Sequence, residues 1–184
     1  MYDVSVTYVP QRMALIARRR ILAEQAGTVI PATFAELFEH IDSGGACGAE
    51  ETLVIFPQDF GDPGEHEIAV VVTIADGVPG PGIELDELPG CQVVRTIHVG
   101  GYDTSAGWEA IAEWMDERDL EPAGGHWEVY RNHPGGADAA GEADGAGEAR
   151  EAGEADGAGD ADSASDAPKA DGAEAVTELQ QPLP

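Results

Sequence analysis

Along the first 134 residues the apolar positions recur at two periods, and the switches between them mark the elements. Val4, Val6 and Tyr8 alternate with other residues, the period-2 pattern of a half-buried strand. RMALIARR at 12–19 is apolar on both faces at its centre. ETLVIFP from Glu51 and HEIAVVVTI from His66 are β-branched runs bounded by Gly and Pro, and all three segments read as strands. Between the first and second of them the period changes: in PATFAELFEHIDSGG at 31–45, Phe34, Leu37, Phe38 and Ile41 fall at helical spacing, with Gly44 as a C-terminal stop.

The order then recurs. After a Gly- and Pro-rich connection, VPGPGIELDELPG at 78–90, CQVVRTIHV reads as a strand. TSAGWEAIAEWMDERD follows as a helix, with Trp108, Ile111, Ala112 and Met115 on one stripe and Asp103 or Thr104 available as N-cap. HWEVYRN from His126 and VTELQQPL from Val176 supply two more strands. The pattern predicts strand-helix-strand-strand twice, behind one extra N-terminal strand. That is an α+β fold, a largely antiparallel sheet with two helices on one face. A duplication of this kind places a ligand cleft at its pseudo-twofold seam.

Composition changes sharply after Pro134. Residues 135–175 are almost wholly Gly, Ala, Asp, Glu and Ser, with 7 Asp and 5 Glu against Arg150 and Lys169 and no aromatic or β-branched side chain. Such a segment cannot bury enough apolar surface to offset its ordering entropy, so 135–174 is expected to be disordered. Strand character returns at Val176, Thr177 and Leu179, closed by Pro182. Two readings follow: an acidic insertion in a loop of one domain, formed by 1–134 plus 175–184, or a disordered tail that finishes in a few apolar residues.

Charge and cysteine content narrow the function classes. With 36 Asp plus Glu against 9 Lys plus Arg, the formal net charge of -27 repels a phosphate backbone and argues against direct nucleic-acid binding. Cys47 and Cys91 show no CxxC spacing, and MYDVSVTYVP lacks the basic start and apolar run of a signal peptide, so both cysteines read as reduced thiols of a cytoplasmic protein. No apolar stretch approaches the roughly 20 residues that cross a bilayer. His40, His66, His126 and His133 show no metal-ligand spacing, so neither a metal nor a cofactor is expected.

Within GGHWEVYRNHPGG an ionisable group sits mid-strand. Alternation puts Trp127 and Val129 on one face and His126, Glu128 and Tyr130 on the other. The second face looks either into a site or into water. The turn His98-Val99-Gly100-Gly101-Tyr102 leads into the second helix, and its glycines serve either a close pocket wall or plain turn chemistry.

RTIHVGGYDT, WEAIAEWMDE, LEPAGGHWEVYRNHPG and TELQQPL together resemble the C-terminal half of the GyrI-like small-molecule-binding domain, and YDVSVTYVPQRMALIARRRI matches its first half more loosely. The family includes effector-binding domains of multidrug-responsive regulators of the AraC and MerR types and the gyrase inhibitory protein. The resemblance implies two tandem strand-helix-strand-strand (SHS2) modules with a cleft between them. With no helix-turn-helix segment before Tyr2, it also implies a stand-alone ligand domain. By this resemblance Glu128 matches the acidic residue that meets lipophilic cations, and Tyr130, Tyr102, Trp108, Phe56 and Tyr8 are candidate aromatic lining. No catalytic residue is assigned; Glu128 would serve if the protein were an enzyme.

Three functions stay open. The first is a module that senses or sequesters aromatic, cationic, lipophilic compounds. The second, implied by the resemblance, is a hydrolase of cyclopropanoid DNA-alkylating compounds, which would use Glu128 with a second inward carboxylate such as Glu109 or Glu178. The third, suggested by the resemblance to a gyrase inhibitor, is a gyrase-interacting inhibitory or protective protein whose acidic tract imitates nucleic acid.

Overall fold

The structure, a computed structural model, describes residues 2–101, 103–132 and 174–184. Its strands and helices follow one another as β1 (Ser5–Val9), β2 (Arg12–Leu22), α1 (Ala26–His40), β3 (Ala46–Cys47), β4 (Thr52–Phe56), β5 (Glu65–Thr73), β6 (Asp76–Gly77), β7 (Glu84–Leu88), β8 (Cys91–Val99), α2 (Ser105–Asp116), β9 (His126–Asn132) and β10 (Val176–Pro182). Eight strands form one sheet in the order β1-β8-β10-β9-β4-β5-β2-β7, while β3 and β6 pair separately.

All pairings in the large sheet are antiparallel. The order is mirrored about its centre: β8-β10-β9 on one side answers β2-β5-β4 on the other, and β9 joins β4 at the seam. This is α+β, with two helices and an antiparallel sheet curled into a half-barrel, the architecture expected from the resemblance. The terminal strand β10 sits inside the sheet, between β8 and β9. The expected disorder of 135–174 lies outside the described residues, apart from Glu174.

Both helices cover the same face. Phe34 and Leu37 of α1 pack on Leu15, Val54, Phe56, Ile68, Val70 and Val72, and Ile111 and Met115 of α2 pack on Val94 and Leu179. The opposite face carries a second core that joins Val9 of one edge strand and Leu88 of the other to Ala14, Leu53, Val71, Trp127 and Val129. Curling lets the helix-free face bury carbon on itself, which explains why β2, β4 and β5 are apolar on both sides.

Two boundaries differ from the sequence reading. Helix α1 begins at Ala26, with Pro31 inside it rather than at its start. Proline lacks an N–H, so the carbonyl four residues back, that of Gly27, loses its helical partner. The connection at 78–90 contains β7, whose Leu85 and Leu88 pair with Leu15 and Arg12 while Glu84, Asp86 and Glu87 stand at the edge. Acidic side chains there oppose further strand addition.

Candidate functional site

Between α1 and α2, over the seam of the sheet, lies a cavity of about 1080 Å³, at the upper end of the roughly 300–1,000 Å³ typical of small-molecule sites. Its walls are two helical stripes. One carries Ala26, Gly27, Ile30, Pro31 and Phe34; the other carries Ser105, Trp108, Glu109, Ala112 and Asp116. The sheet supplies the floor through Phe56, His126, Glu128, Tyr130 and Gln181. Among the described residues, none of those lining it is Lys or Arg.

Glu128 occupies the centre of that floor, because β9 places it opposite Val54 across the seam and opposite Leu179 of β10. Thr104 Oγ1 at 2.9 Å and Trp108 Nε1 at 3.3 Å both donate to its Oε1, and the Tyr130 hydroxyl donates to Oε2 at 3.2 Å. All three donors are neutral. Among the described residues no Lys, Arg or His nitrogen lies within the 4.0 Å of an ion pair with Glu128. The half-buried carboxylate is held by dipoles and, among the described residues, has no counter-ion.

Aromatic groups surround it in mutual contact. The His126 ring stacks on Phe56 at 5.3 Å and meets Trp108 edge-on at 4.6 Å, while Phe34 meets Tyr130 edge-on at 6.0 Å. Burial among these rings pulls the His126 imidazole down to about 4, so it is neutral at physiological pH. Among the described residues, the cavity lining therefore carries negative charge and no positive charge at physiological pH.

Of the residues singled out from sequence, the structure gathers Glu128, Tyr130, Trp108 and Phe56 around one space. It does not bring Tyr8 there: on edge strand β1 that ring is 65% exposed and its hydroxyl lies against Gly90, remote from the lining set. Tyr102 lies outside the described residues. Gly100, at φ +138°, adopts a conformation that only glycine takes readily, and His98 accepts from the Tyr2 hydroxyl at 2.8 Å and donates to the Gly101 carbonyl at 2.9 Å, fixing the turn before α2. Glu178, considered as a second inward carboxylate, points to the opposite face, whereas Glu109 stands in the cavity wall.

Sequence reasoning missed Thr104 and His126 as site residues. Thr104 looked like an N-cap, yet its side chain makes no capping bond and turns to Glu128, while Asp103 accepts from the Ser105 N–H at 3.2 Å. His126 was considered only as a metal ligand, although alternation already put it on the face of Glu128. Among the described residues no group of three or more His, Cys, Asp or Glu could hold a metal ion, and no helix is long and apolar enough to cross a membrane.

No family model and no curated protein matches the chain. Solved structures do. The chain is similar to the crystal structure of the EcmrR C-terminal domain, with TM-score 0.69 and 14% identity over 100% of this chain and 98% of the other. It also matches EcmrR in a cryo-EM complex with DNA at TM-score 0.68 and 14% identity, covering 99% of this chain but 57% of that longer one. A hydrolase from Listeria innocua matches at TM-score 0.54 and 13% identity, over 99% of this chain and 92% of the other. At such identities the likeness is one of fold.

Proposed function

We propose that the domain binds an aromatic, lipophilic cation in the cavity between α1 and α2, with Glu128 as counter-ion, and acts in sensing or sequestering such compounds in the cytoplasm. One observation carries this reading: a half-buried carboxylate lacks a protein cation among the described residues, in a cavity whose lining contains no Lys or Arg. Removing a carboxylate from water is costly unless charge returns to it, and a bound cation returns it. The rings of Trp108 and Tyr130 offer cation–π attraction, and Phe34 and Phe56 add apolar area. The fold shared with the C-terminal domain of EcmrR, a protein also solved in complex with DNA, is compatible with this reading.

The test is calorimetric titration with matched pairs of planar aromatic compounds, one member cationic and its isostere neutral. Preference for the cation by about tenfold or more supports the reading; equal affinity within each pair refutes it.

A hydrolase is the second reading, favoured by Glu109 in the same wall as Glu128 and by the fold shared with a protein described as a hydrolase. Mass spectrometry of cyclopropane-bearing alkylators incubated with the protein separates the two: a water-addition product identifies turnover, and unchanged compound at saturating protein leaves binding alone.

A further inference from the structure

We propose that the Glu128 site selects cations that donate a single hydrogen bond, tertiary ammonium groups in particular, over amidinium or guanidinium groups on the same aromatic frame. This deepens the counter-ion reading above and rests on it.

A carboxylate offers about four acceptor positions, two on each oxygen. On Glu128 both positions of Oε1 are taken, by Thr104 and Trp108, and one of Oε2 is taken by Tyr130. One position remains, on Oε2. An amidinium or guanidinium reaches full strength through two parallel bonds, one to each oxygen. Here the second bond would have to displace Thr104 or Trp108. Without it, an N–H is left beside the rings of Phe34, Phe56 and Trp108 that line the cavity with Glu128 and loses its hydration uncompensated. A tertiary ammonium has one N–H for one open position, and its alkyl groups suit the surrounding rings.

The occupancy of Oε1 is built into the local structure. Thr104 precedes α2 at the position where a hydroxyl ordinarily caps the first turn, yet that hydroxyl goes to Glu128 and not to the helix. Trp108, one turn on, delivers its indole N–H to the same oxygen. The contrast with Glu178 is direct. There Arg95 and Gln180 fill Oε1 and Arg131 fills Oε2 with two N–H groups, so that carboxylate is already met by two guanidinium groups of the protein.

The test uses one frame, 2-naphthylmethyl, bearing dimethylammonium, amidinium or a neutral ether, titrated by calorimetry into the full chain. In wild type the dimethylammonium compound is expected to bind about tenfold or more tightly than the amidinium. Thr104→Val and Trp108→Phe each free a position on Oε1 and should bring the two cations within about threefold of each other, while Thr104→Ser, which keeps the donor, should keep the wild-type gap. Wild type favouring the amidinium, or a gap unchanged in both freed variants, overturns the proposal while the counter-ion reading stands. Failure of either cation to exceed the ether overturns both.

Discussion

Glu128 and Glu178 stand on adjacent antiparallel strands and on opposite faces of one sheet, and their partners differ in kind. Glu178, 2% exposed, is held by Arg131 at 2.6 and 3.0 Å, by Arg95 at 3.1 Å and by Gln180 at 2.9 Å. Glu51 extends that network, bonding both Arg131 and Arg12. Among the described residues, the donors to Glu128 are all neutral. The sheet thus meets one carboxylate with cations and, among the described residues, the other with neutral donors.

Replacement of Glu178 should therefore affect stability and spare the cavity. Burial raises the Glu178 carboxyl, but the hydrogen bonds from Arg131, Gln180 and Arg95 and the Arg131 charge outweigh it and hold the group below the usual carboxylate range. Its contribution is present above the unfolded-state pKa and is lost as pH falls through the folded value. Glu178→Gln is expected to cost about 1–3 kcal/mol at pH 7 in denaturant titration, with ligand affinity unchanged.

His126 gives stability a pH dependence of its own. The unfolded imidazole protonates near 6.5, whereas the folded one resists until about 4. Between those values the unfolded chain binds more protons, so acidification destabilises the fold progressively, by at most about 3 kcal/mol once the ring's partial exposure is allowed for. His126→Phe keeps the aromatic packing and should flatten the denaturant midpoint between pH 6.5 and 4, leaving a carboxylate-dependent fall below that window.

Two glycines hold the cavity's geometry by close approach. A Cβ at Gly125 would lie 2.1 Å from the Phe56 carbonyl oxygen, and one at Gly107 would lie 2.4 Å from Leu179 Cδ1. Backbone cannot turn aside; a side-chain end can, in part. Gly125→Ala is therefore expected to lower the thermal midpoint more than Gly107→Ala, whose overpacking of about 1–3 kcal/mol is offset by about 1 kcal/mol of helix propensity.

Much of this arrangement could be read from the residues because local period and global placement agree. CQVVRTIHV forms β8 over the whole stretch, and the alternation in HWEVY puts Trp127 and Val129 in the second core and Glu128 and Tyr130 at the cavity. What escaped depends on tertiary context. Pro31 looked like a helix start because an interior proline is costly, so the wall formed by Ala26, Gly27 and Ile30 went unseen. The segment ELDEL resembled a loop because an edge strand tolerates acid on its outer side. Tyr8 fitted an aromatic lining by residue type alone, and only strand order shows that β1 lies at the far edge.

The central claim is tested most directly by Glu128→Gln, which keeps the shape of the side chain and removes its charge. Affinities of a planar aromatic cation and its neutral isostere are measured for wild type and variant in the same buffer. The account predicts that the variant weakens cation binding by about 30-fold or more, on the order of 2 kcal/mol, and leaves the neutral compound within about threefold. Cation affinity that survives the substitution would contradict the assignment of Glu128 as counter-ion.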